Sequence, residues 1–557
     1  MIQTPELDEL HAIKYRGQGE SHKECCNRVA ATLAPGEAFH AFRDVLLTGR
    51  FMPGGRIQSA VGSTRRVTPF SCFVSGTIAD SFVDGHGSIM QRATEAAATM
   101  RMGGGIGYNF GTLRPRGDVI RKLGSQSSGP VSFMSIFNAV CEATSSSGHR
   151  RGAQMGVMPI WHPDIEEFIR AKQNSGKLLG FNVSVAVTDE FMRCLKTGTM
   201  FPLRWGGKIY REVDPQALWE MLMRSTWDWA EPGVLFIDRI NDMNNLSYCE
   251  EIAACNPCGE QQLPPHGACL LGSFNLVKYL VCEGDFAVEN GSGQWYFDWP
   301  RFMVDIPVVV AAMDRVTDIA SYPLHEQEEE AHGKRRMGLG VTGLANALEA
   351  LGLPYGTEDF VRFETKVLET LRDEAYRASA LLAAQRGPFP RFNLNAYLDA
   401  PFIRTLPSDV RNLIVEHGIR NSHLLSIAPT GTISLCADNV SSGIEPVIAY
   451  EADRTLTLFD GPRVMRVHDY GKKFLGVEGR LAEDISAAEH LAVLVAAQSM
   501  VDSSVSKTCN VPSTMPWDDF KALYQKAWEQ GCKGCTTYQV GGKREAVICR
   551  VDGSCEG

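Results

Sequence analysis

The sequence predicts an α/β protein with parallel strands. Short apolar strands and amphipathic helices alternate from residue 51 onward. The 44% hydrophobic and 22% charged contents are those of a soluble globular chain. The longest apolar stretches also fall far short of a membrane span.

Taking the elements in order, residues 1–50 read as helical, with apolar residues at helical spacing in "HAFRDVLLTGRF". "GFNVSVAVT" (180–188) and "VLFIDRI" (234–240) read as strands, and "DPQALWEMLMRSTWDWA" (214–230) between them as a helix. "NSHLLSIAPTGTIS" (421–434) reads as a strand ending in a turn, and "AEHLAVLVAAQSMVDSSV" (488–505) as a helix. "IPVVVAAM" (306–313) is a buried element, too short to cross a bilayer. "PLHEQEEEAHGKRR" (323–336) reads as a solvated helix face or loop. The last 18 residues, from Val540, are polar and glycine-rich and are expected to be mobile.

The net charge of −10 argues against a non-specific nucleic-acid binder while allowing a local basic pocket for phosphates. No apolar signal region opens the chain, so a cytoplasmic location is expected, where thiols stay reduced. Of the 16 cysteines, Cys141, Cys194, Cys282, Cys436 and Cys509 sit among apolar or helical residues and read as core thiols.

Several motifs carry chemistry. In "ACNPCGEQQL" (254–263), Pro257 biases Asn256 toward an extended backbone. Asn256, Cys258 and Glu260 would then share one side, roughly 6–7 Å apart. That is either a catalytic set or an ordinary polar turn. "APTGTIS" (428–434) follows an apolar strand and suits phosphate binding at a turn, or is a plain Ser/Thr turn. The glycines of "MRMGGGIGYNFGTLRPRGD" (100–118) imply close approach of backbone to another segment or a ligand. "GLGVTG" (338–343) matches a dinucleotide fingerprint but follows charged residues, so it reads as glycine-rich helix packing. "DGHGSI" (84–89) approaches the cobalt-ligating D-x-H-x-x-G pattern but has Ile89 in place of its glycine, leaving His86 structural. Cys532, Cys535, Cys549 and Cys555 are spaced too widely for an ordinary zinc ribbon. Thiol–disulfide exchange suits the last two better, and zinc stays the alternative.

Ten stretches in collinear order resemble ribonucleotide reductase catalytic subunits. They are "FMPGGR", "SCFV", "GGGIGYNF", "RRGAQMGVMPIWHPDIEEFI", "EPGVLFIDRIN", "NPCGE", "RRMGLGVTGLANAL", "APTGTIS", "SSGIEP" and "DSSVSKTCNVP". The resemblance implies a ten-stranded α/β barrel of two five-stranded parallel halves, with a central loop carrying the radical cysteine. Cys258 would be the thiyl-radical carrier, Glu260 the base on the 3′-hydroxyl and Asn256 a ribose ligand. Cys72 and Cys269 would be the reducing pair. Ser71, Gly105, Pro429, Thr430, Gly431, Thr432, Ile433 and Ser434 would bind substrate. Asp80 and Arg114 would belong to an effector site, residues 147–156 to the loop coupling effector to substrate, and Cys549 and Cys555 to a redox tail. Cys255 would take no part.

The same resemblance implies the radical source. No glycyl-radical motif is present, and the lone Tyr538 in "KGCTTYQVGGKRE" breaks the paired-tyrosine relay of the two-subunit class. "PTGTIS" and the "KG-x-T-x-Y" pattern resemble the adenosylcobalamin-dependent class, so adenosylcobalamin is the expected cofactor and no protein metal site is expected. The expected partners are a ribonucleotide substrate, dNTP or ATP specificity effectors and a thioredoxin- or glutaredoxin-type reductant. A homodimer is expected; nucleic acid and membrane are not. The implied organisation is a helical segment over 1–50 without an ATP-binding regulatory domain, a catalytic barrel over 51–539 with its effector region around 80–156, and the tail over 540–557. Specificity control without overall dATP inhibition follows. The alternatives are a two-subunit-class chain needing a separate metal-radical subunit and a non-catalytic deoxynucleotide sensor.

Overall fold

The computed structural model describes the chain except residues 1, 122, 147–149, 174–176, 284–293, 459–460, 540–542, 544–547, 551–554 and 557. Its centre is a ten-stranded sheet in a mixed α/β architecture. Strands Cys72–Val74, Gly105–Asn109, Gln154–Pro159, Phe181–Val187 and Gly233–Phe236 pair in parallel, each with the next. Helices connect them, as parallel pairing requires: Ile89–Arg101, Pro130–Ala143 and Pro215–Trp229 are the longest. Strands covered on both faces are mostly apolar, and all six residues of Gln154–Pro159 are buried.

Direction reverses at both ends of this run. Strand Ala268–Asn275 lies antiparallel to Cys72–Val74, and Gly534–Gln539 lies antiparallel to Gly233–Phe236. Beyond them the pairing is parallel again, between Ala268–Asn275 and Met337–Thr342 and between Thr508–Val511 and Gly534–Gln539. Two parallel bridges, Leu339 to Leu425 and Ile427 to Val505, extend these pairings toward each other.

Outside the sheet, helices Pro5–Tyr15, His22–Leu33 and Ala38–Leu47 occupy the N-terminal stretch. The second begins at a capping box in which Ser21 accepts from the Glu24 N–H and Glu24 accepts from the Ser21 N–H. Helix Trp299–Ile319 contains "IPVVVAAM" and packs against the 29-residue helix Glu358–Arg386. No helix among the described residues is long and apolar enough to cross a membrane.

Four expectations change. "GLGVTG" is mostly strand, not helix packing: Met337–Thr342 is buried along its whole length. Its glycines let neighbouring chain pass, since a Cβ on Gly340 would lie 2.3 Å from the Ser426 carbonyl oxygen. The charged run before it forms helix His325–Lys334, but its end is not solvated. Lys334 pairs with Glu250 at 2.7 Å and Glu330 at 2.6 Å, Arg336 pairs with Glu250, and Arg335 pairs with Asp314 at 2.8 Å, all through buried side chains. Pairing makes that burial tolerable, which composition alone does not reveal. "VLFIDRI" divides into strand Gly233–Phe236 and helix Ile237–Asp242. The core thiols also separate: Cys141, Cys436 and Cys509 are buried, whereas Cys194 and Cys282 are half-buried. His86 is exposed.

One buried carboxyl gives a pH prediction. Glu349 accepts from the Arg480 N–H at 2.8 Å and the Tyr355 N–H at 3.3 Å, yet burial lifts its pKa to about 7. A raised carboxyl pKa means the folded state holds the proton more tightly, so stability falls as pH rises from about 4.5 to 7. Relative to wild type, Glu349→Gln should gain about 3 kcal/mol between pH 4.5 and pH 8, measured as the difference in thermal stability at the two pH values.

Candidate active site

"ACNPCGEQQL" is a tight hairpin and not an extended run. Ala254 pairs with Leu263 and Cys255 with Gln262, and the turn closes where the Asn256 N–H donates to the Gln261 carbonyl at 3.0 Å. The turn explains the side-chain directions. Asn256 and Glu260 fold inward and are buried, while Cys258 at the tip is exposed. Cys255, in the hairpin strand, is buried in one apolar cluster with Cys72 and Cys269, and burial raises its thiol pKa.

Four contacts hold the turn. The Asn256 side-chain oxygen accepts from the Gln261 N–H at 2.9 Å, and Asn182 donates to the Pro257 carbonyl at 2.8 Å. The Glu260 carbonyl accepts from the Ser426 hydroxyl at 3.1 Å and the Ser504 N–H at 3.0 Å. The strand Gly105–Asn109 runs directly beneath. A Cβ on Gly107 would lie 1.8 Å from the Cys255 carbonyl oxygen, and one on Gly105 would lie 3.0 Å from Pro257 Cγ. Two of the glycines singled out in "GGGIG" therefore serve close approach to the hairpin. Gly107→Ala must displace backbone rather than a flexible side chain, and is expected to destabilise the fold by about 2–4 kcal/mol, read from the melting temperature.

Cys72 and Cys269 stand directly opposite each other on antiparallel strands. Such partners have Cα atoms about 4.5–5.5 Å apart, within the range a disulfide spans. Asn256 Nδ2 donates to Cys72 Sγ at 3.2 Å, and the Cys72 thiol points to Glu260 Oε1 at 3.7 Å. Burial, then the Glu260 carboxylate, pushes the Cys72 pKa well up, and burial does the same for Cys269. Both sulfurs are held as neutral thiols, the form that can give up hydrogen.

In front of this group lies a cavity of about 440 Å³. Asn256, Cys258, Glu260, Cys72, Ser71 and Gly105 line it, as do Pro429, Thr430, Gly431, Thr432 and Ile433. Thr430 adopts a left-handed backbone (φ 51°) just before helix Gly431–Leu435. Its hydroxyl is fixed by the Gly443 N–H at 2.7 Å and the Thr342 hydroxyl at 3.0 Å. Ser434 differs from its neighbours: it is buried with its hydroxyl 2.9 Å from that of Ser442. Cys258 also lines a second cavity of about 240 Å³, with Asn182, Ser184, Ser504, Ser506, Thr508 and Thr536.

Other expected residues lie elsewhere. Arg114 donates through Nε to Asp80 at 2.7 Å, so the two form one ion pair. Of the 147–156 loop, residues 147–149 lie outside the described residues. Cys549 and Cys555 face each other in register on short strands, and their side chains lie outside the described residues. Cys532 and Cys535 are buried, and no metal-holding group of His, Cys, Asp or Glu occurs among the described residues. Sequence reasoning missed Lys14, Tyr15 and Arg56, which also line the larger cavity. Arg56 closes the quoted "FMPGGR" motif and was within reach; nothing local marks Lys14.

Fold and site together define an α/β domain built around reduced thiols beside a glycine-walled cavity. The sequence profile described as "Ribonucleotide reductase, barrel domain" matches residues 70–466 and 479–538. The chain is 36% identical to a vitamin B12-dependent ribonucleoside-diphosphate reductase of Mycobacterium tuberculosis, over 85% of this chain and 69% of that one. It is 31% identical to the protein of the same name from Thermoplasma acidophilum, over 92% and 66%. It is 27% identical to a vitamin B12-dependent ribonucleotide reductase of Streptomyces clavuligerus, over 94% and 62%. The chain belongs to the ribonucleotide reductase family, and spans about two thirds of the length of these relatives.

Proposed function

We propose that this chain reduces ribonucleotides to 2′-deoxyribonucleotides by thiyl-radical chemistry, with adenosylcobalamin as radical source. The observation that carries the reading is the convergence of Cys72 and the turn residues Asn256, Cys258 and Glu260 on one cavity wall, with Cys269 paired in register with Cys72. Substrate lies with its phosphates toward residues 429–434 and its ribose toward the turn. Cys258, as a thiyl radical, takes the hydrogen atom from C3′. Glu260 takes the 3′-hydroxyl proton, and Asn256 orients the ribose. The 2′-hydroxyl leaves as water after protonation by the Cys72–Cys269 pair. The pair supplies two electrons and two protons and becomes a disulfide. Cys258 then returns its hydrogen atom to C3′, so one ribonucleotide and two thiols give one deoxyribonucleotide, one disulfide and one water.

The residues present fit the nucleoside part of adenosylcobalamin. The second cavity reaches Cys258 from another side, and its hydroxyls and the Asn182 amide suit ribose and adenine polar groups, while about 240 Å³ is too small for a corrin. When bound, the cofactor supplies a weak carbon–cobalt bond whose homolysis yields a radical. The chain's own task is to hold Cys258 at the junction of the two cavities.

The family's ten-stranded barrel in two parallel halves is supported by the two reversals of strand direction and by the bridges at Leu425 and Ile427. Asp80 and Arg114 suit an effector site for dNTP or ATP, and a homodimer with a thioredoxin- or glutaredoxin-type reductant acting through Cys549 and Cys555 completes the cycle. A cytoplasmic setting suits described cysteines that are all free. The test is an anaerobic assay of ribonucleotide with dithiothreitol, with and without adenosylcobalamin. Deoxyribonucleotide is expected only with the cofactor. No product, or product that instead needs a separate metal-radical subunit, overturns the assignment.

A further inference from the structure

The charged groups around the larger cavity are few and unevenly placed. Its lining holds three: Glu260 at the thiol turn, and the cations Lys14 and Arg56. The chain as a whole carries −10, so a polyanion entering this cavity needs local compensation. Helix Gly431–Leu435 has only five residues, too few aligned peptides for a strong dipole. Backbone N–H groups at its start can orient a phosphate, but they leave most of the charge unbalanced.

Arg56 is held in place by a glycine. A Cβ on Gly103 would lie 2.4 Å from the Arg56 guanidinium carbon, so only the bare backbone of Gly103, itself at φ 96°, lets the guanidinium lie there. Two residues on, Gly105 is packed against Pro257 of the thiol turn. Two residues of chain span at most about 7 Å. The guanidinium therefore lies within a nucleotide's length of Cys258.

Lys14 arrives from the last turn of helix Pro5–Tyr15. Its neighbour Tyr15 is buried against Gly55, where a Cβ would lie 2.4 Å from the ring, and packs in one apolar cluster with Ile433, Leu435 and Cys436. That packing fixes the helix end beside Gly431–Leu435, and the Lys14 charge acts on the Cys436 thiol. Both cations are half-buried and line the cavity.

We propose that Lys14 and Arg56 are the counter-charges for the 5′-phosphates of the substrate, and that the pair suits a nucleoside diphosphate. The inference rests on the reductase reading. Arg56 offers a planar fork that can bridge two phosphate oxygens, and Lys14 a point charge on the neighbouring group. Together they form a phosphate subsite from the end of helix Pro5–Tyr15 and the last residue of "FMPGGR", remote in sequence from the 428–434 turn.

The test is isothermal titration of the full-length chain with a ribonucleoside diphosphate and with the matching ribonucleoside. The variants are Lys14→Met and Arg56→Met, with Lys14→Arg and Arg56→Lys as charge-preserving partners. Each Met variant is expected to weaken diphosphate binding roughly tenfold or more, as loss of a charge-assisted contact does. Ribonucleoside affinity should stay unchanged, and the charge-preserving variants should recover most of the loss. Wild-type diphosphate affinity in both Met variants overturns the inference. So does an equal loss for the ribonucleoside, which would mark general damage to the cavity. A wild-type chain that turns over ribonucleotides but shows no preference for diphosphate over ribonucleoside overturns it too and spares the reductase reading. A wild-type chain that binds neither ligand overturns both.

Discussion

Cys258→Ser is expected to fold normally and to form no deoxyribonucleotide, a loss on the order of 10³-fold or more, or at least ~4 kcal/mol in the barrier. The reason lies in bond strength and position. A serine O–H is much stronger than a cysteine S–H, so the side chain cannot be converted to a radical that is regenerated after turnover. The fold should tolerate the change, because Cys258 is exposed at the turn tip and serine is nearly isosteric. The assay is deoxynucleotide formation with adenosylcobalamin and dithiothreitol, with circular dichroism as the folding control. Residual turnover above one hundredth of wild type would defeat the thiyl mechanism. Cys255→Ser is the contrasting case: Cys255 is buried in the hairpin strand, so its replacement should cost stability while leaving the chemistry in place.

Asp502→Ala is expected to be among the most destabilising single changes, at about 3–5 kcal/mol. The buried carboxylate accepts from the backbone N–H of Leu424 at 2.7 Å and of Leu425 at 3.0 Å, and from the Tyr376 hydroxyl at 2.7 Å. Alanine would leave two buried amides and a phenol without an acceptor. The next residues feel the change, because Ser426 and Ser504 hold the Glu260 carbonyl of the thiol turn. Loss of stability should therefore come with loss of activity. Asp502→Asn keeps one acceptor and should cost about half as much. The check is the pair of melting temperatures; an alanine variant within a degree of wild type would show that the carboxylate is not holding these strands.

Much of the site was legible in the sequence because its residues are local. "NPCGE" carries three of the polar groups within five positions, and "APTGTIS" presents its turn directly after the apolar "LLSI", which makes isolated parallel bridges at Leu425 and Ile427 where a strand was expected. The geometry was not legible. Alternation along an extended backbone put Asn256, Cys258 and Glu260 on one side; the hairpin instead buries the first and last and leaves Cys258 at the tip. The error has a definite cause. Pro257 constrains the residue before it, but the turn is closed by Gln261 and seated by Asn182, Ser426 and Ser504, far apart in the chain. The charged run ending at Arg336 failed likewise, since only the fold brings Glu250 and Asp314 to its cations.

By itself the sequence determined the α/β class, the helix–strand alternation and which residues are chemically able to act, because these depend on local periodicity and side-chain type. The tertiary structure decided which of them meet. Cys72 and Cys269 are 197 positions apart and become partners only because antiparallel pairing sets them in register. Lys14 and Arg56 reach the cavity only because Gly55 and Gly103 leave room for Tyr15 and the guanidinium. Contacts between distant segments depend on burial, register and steric allowance over the whole chain, and no short stretch of sequence encodes those.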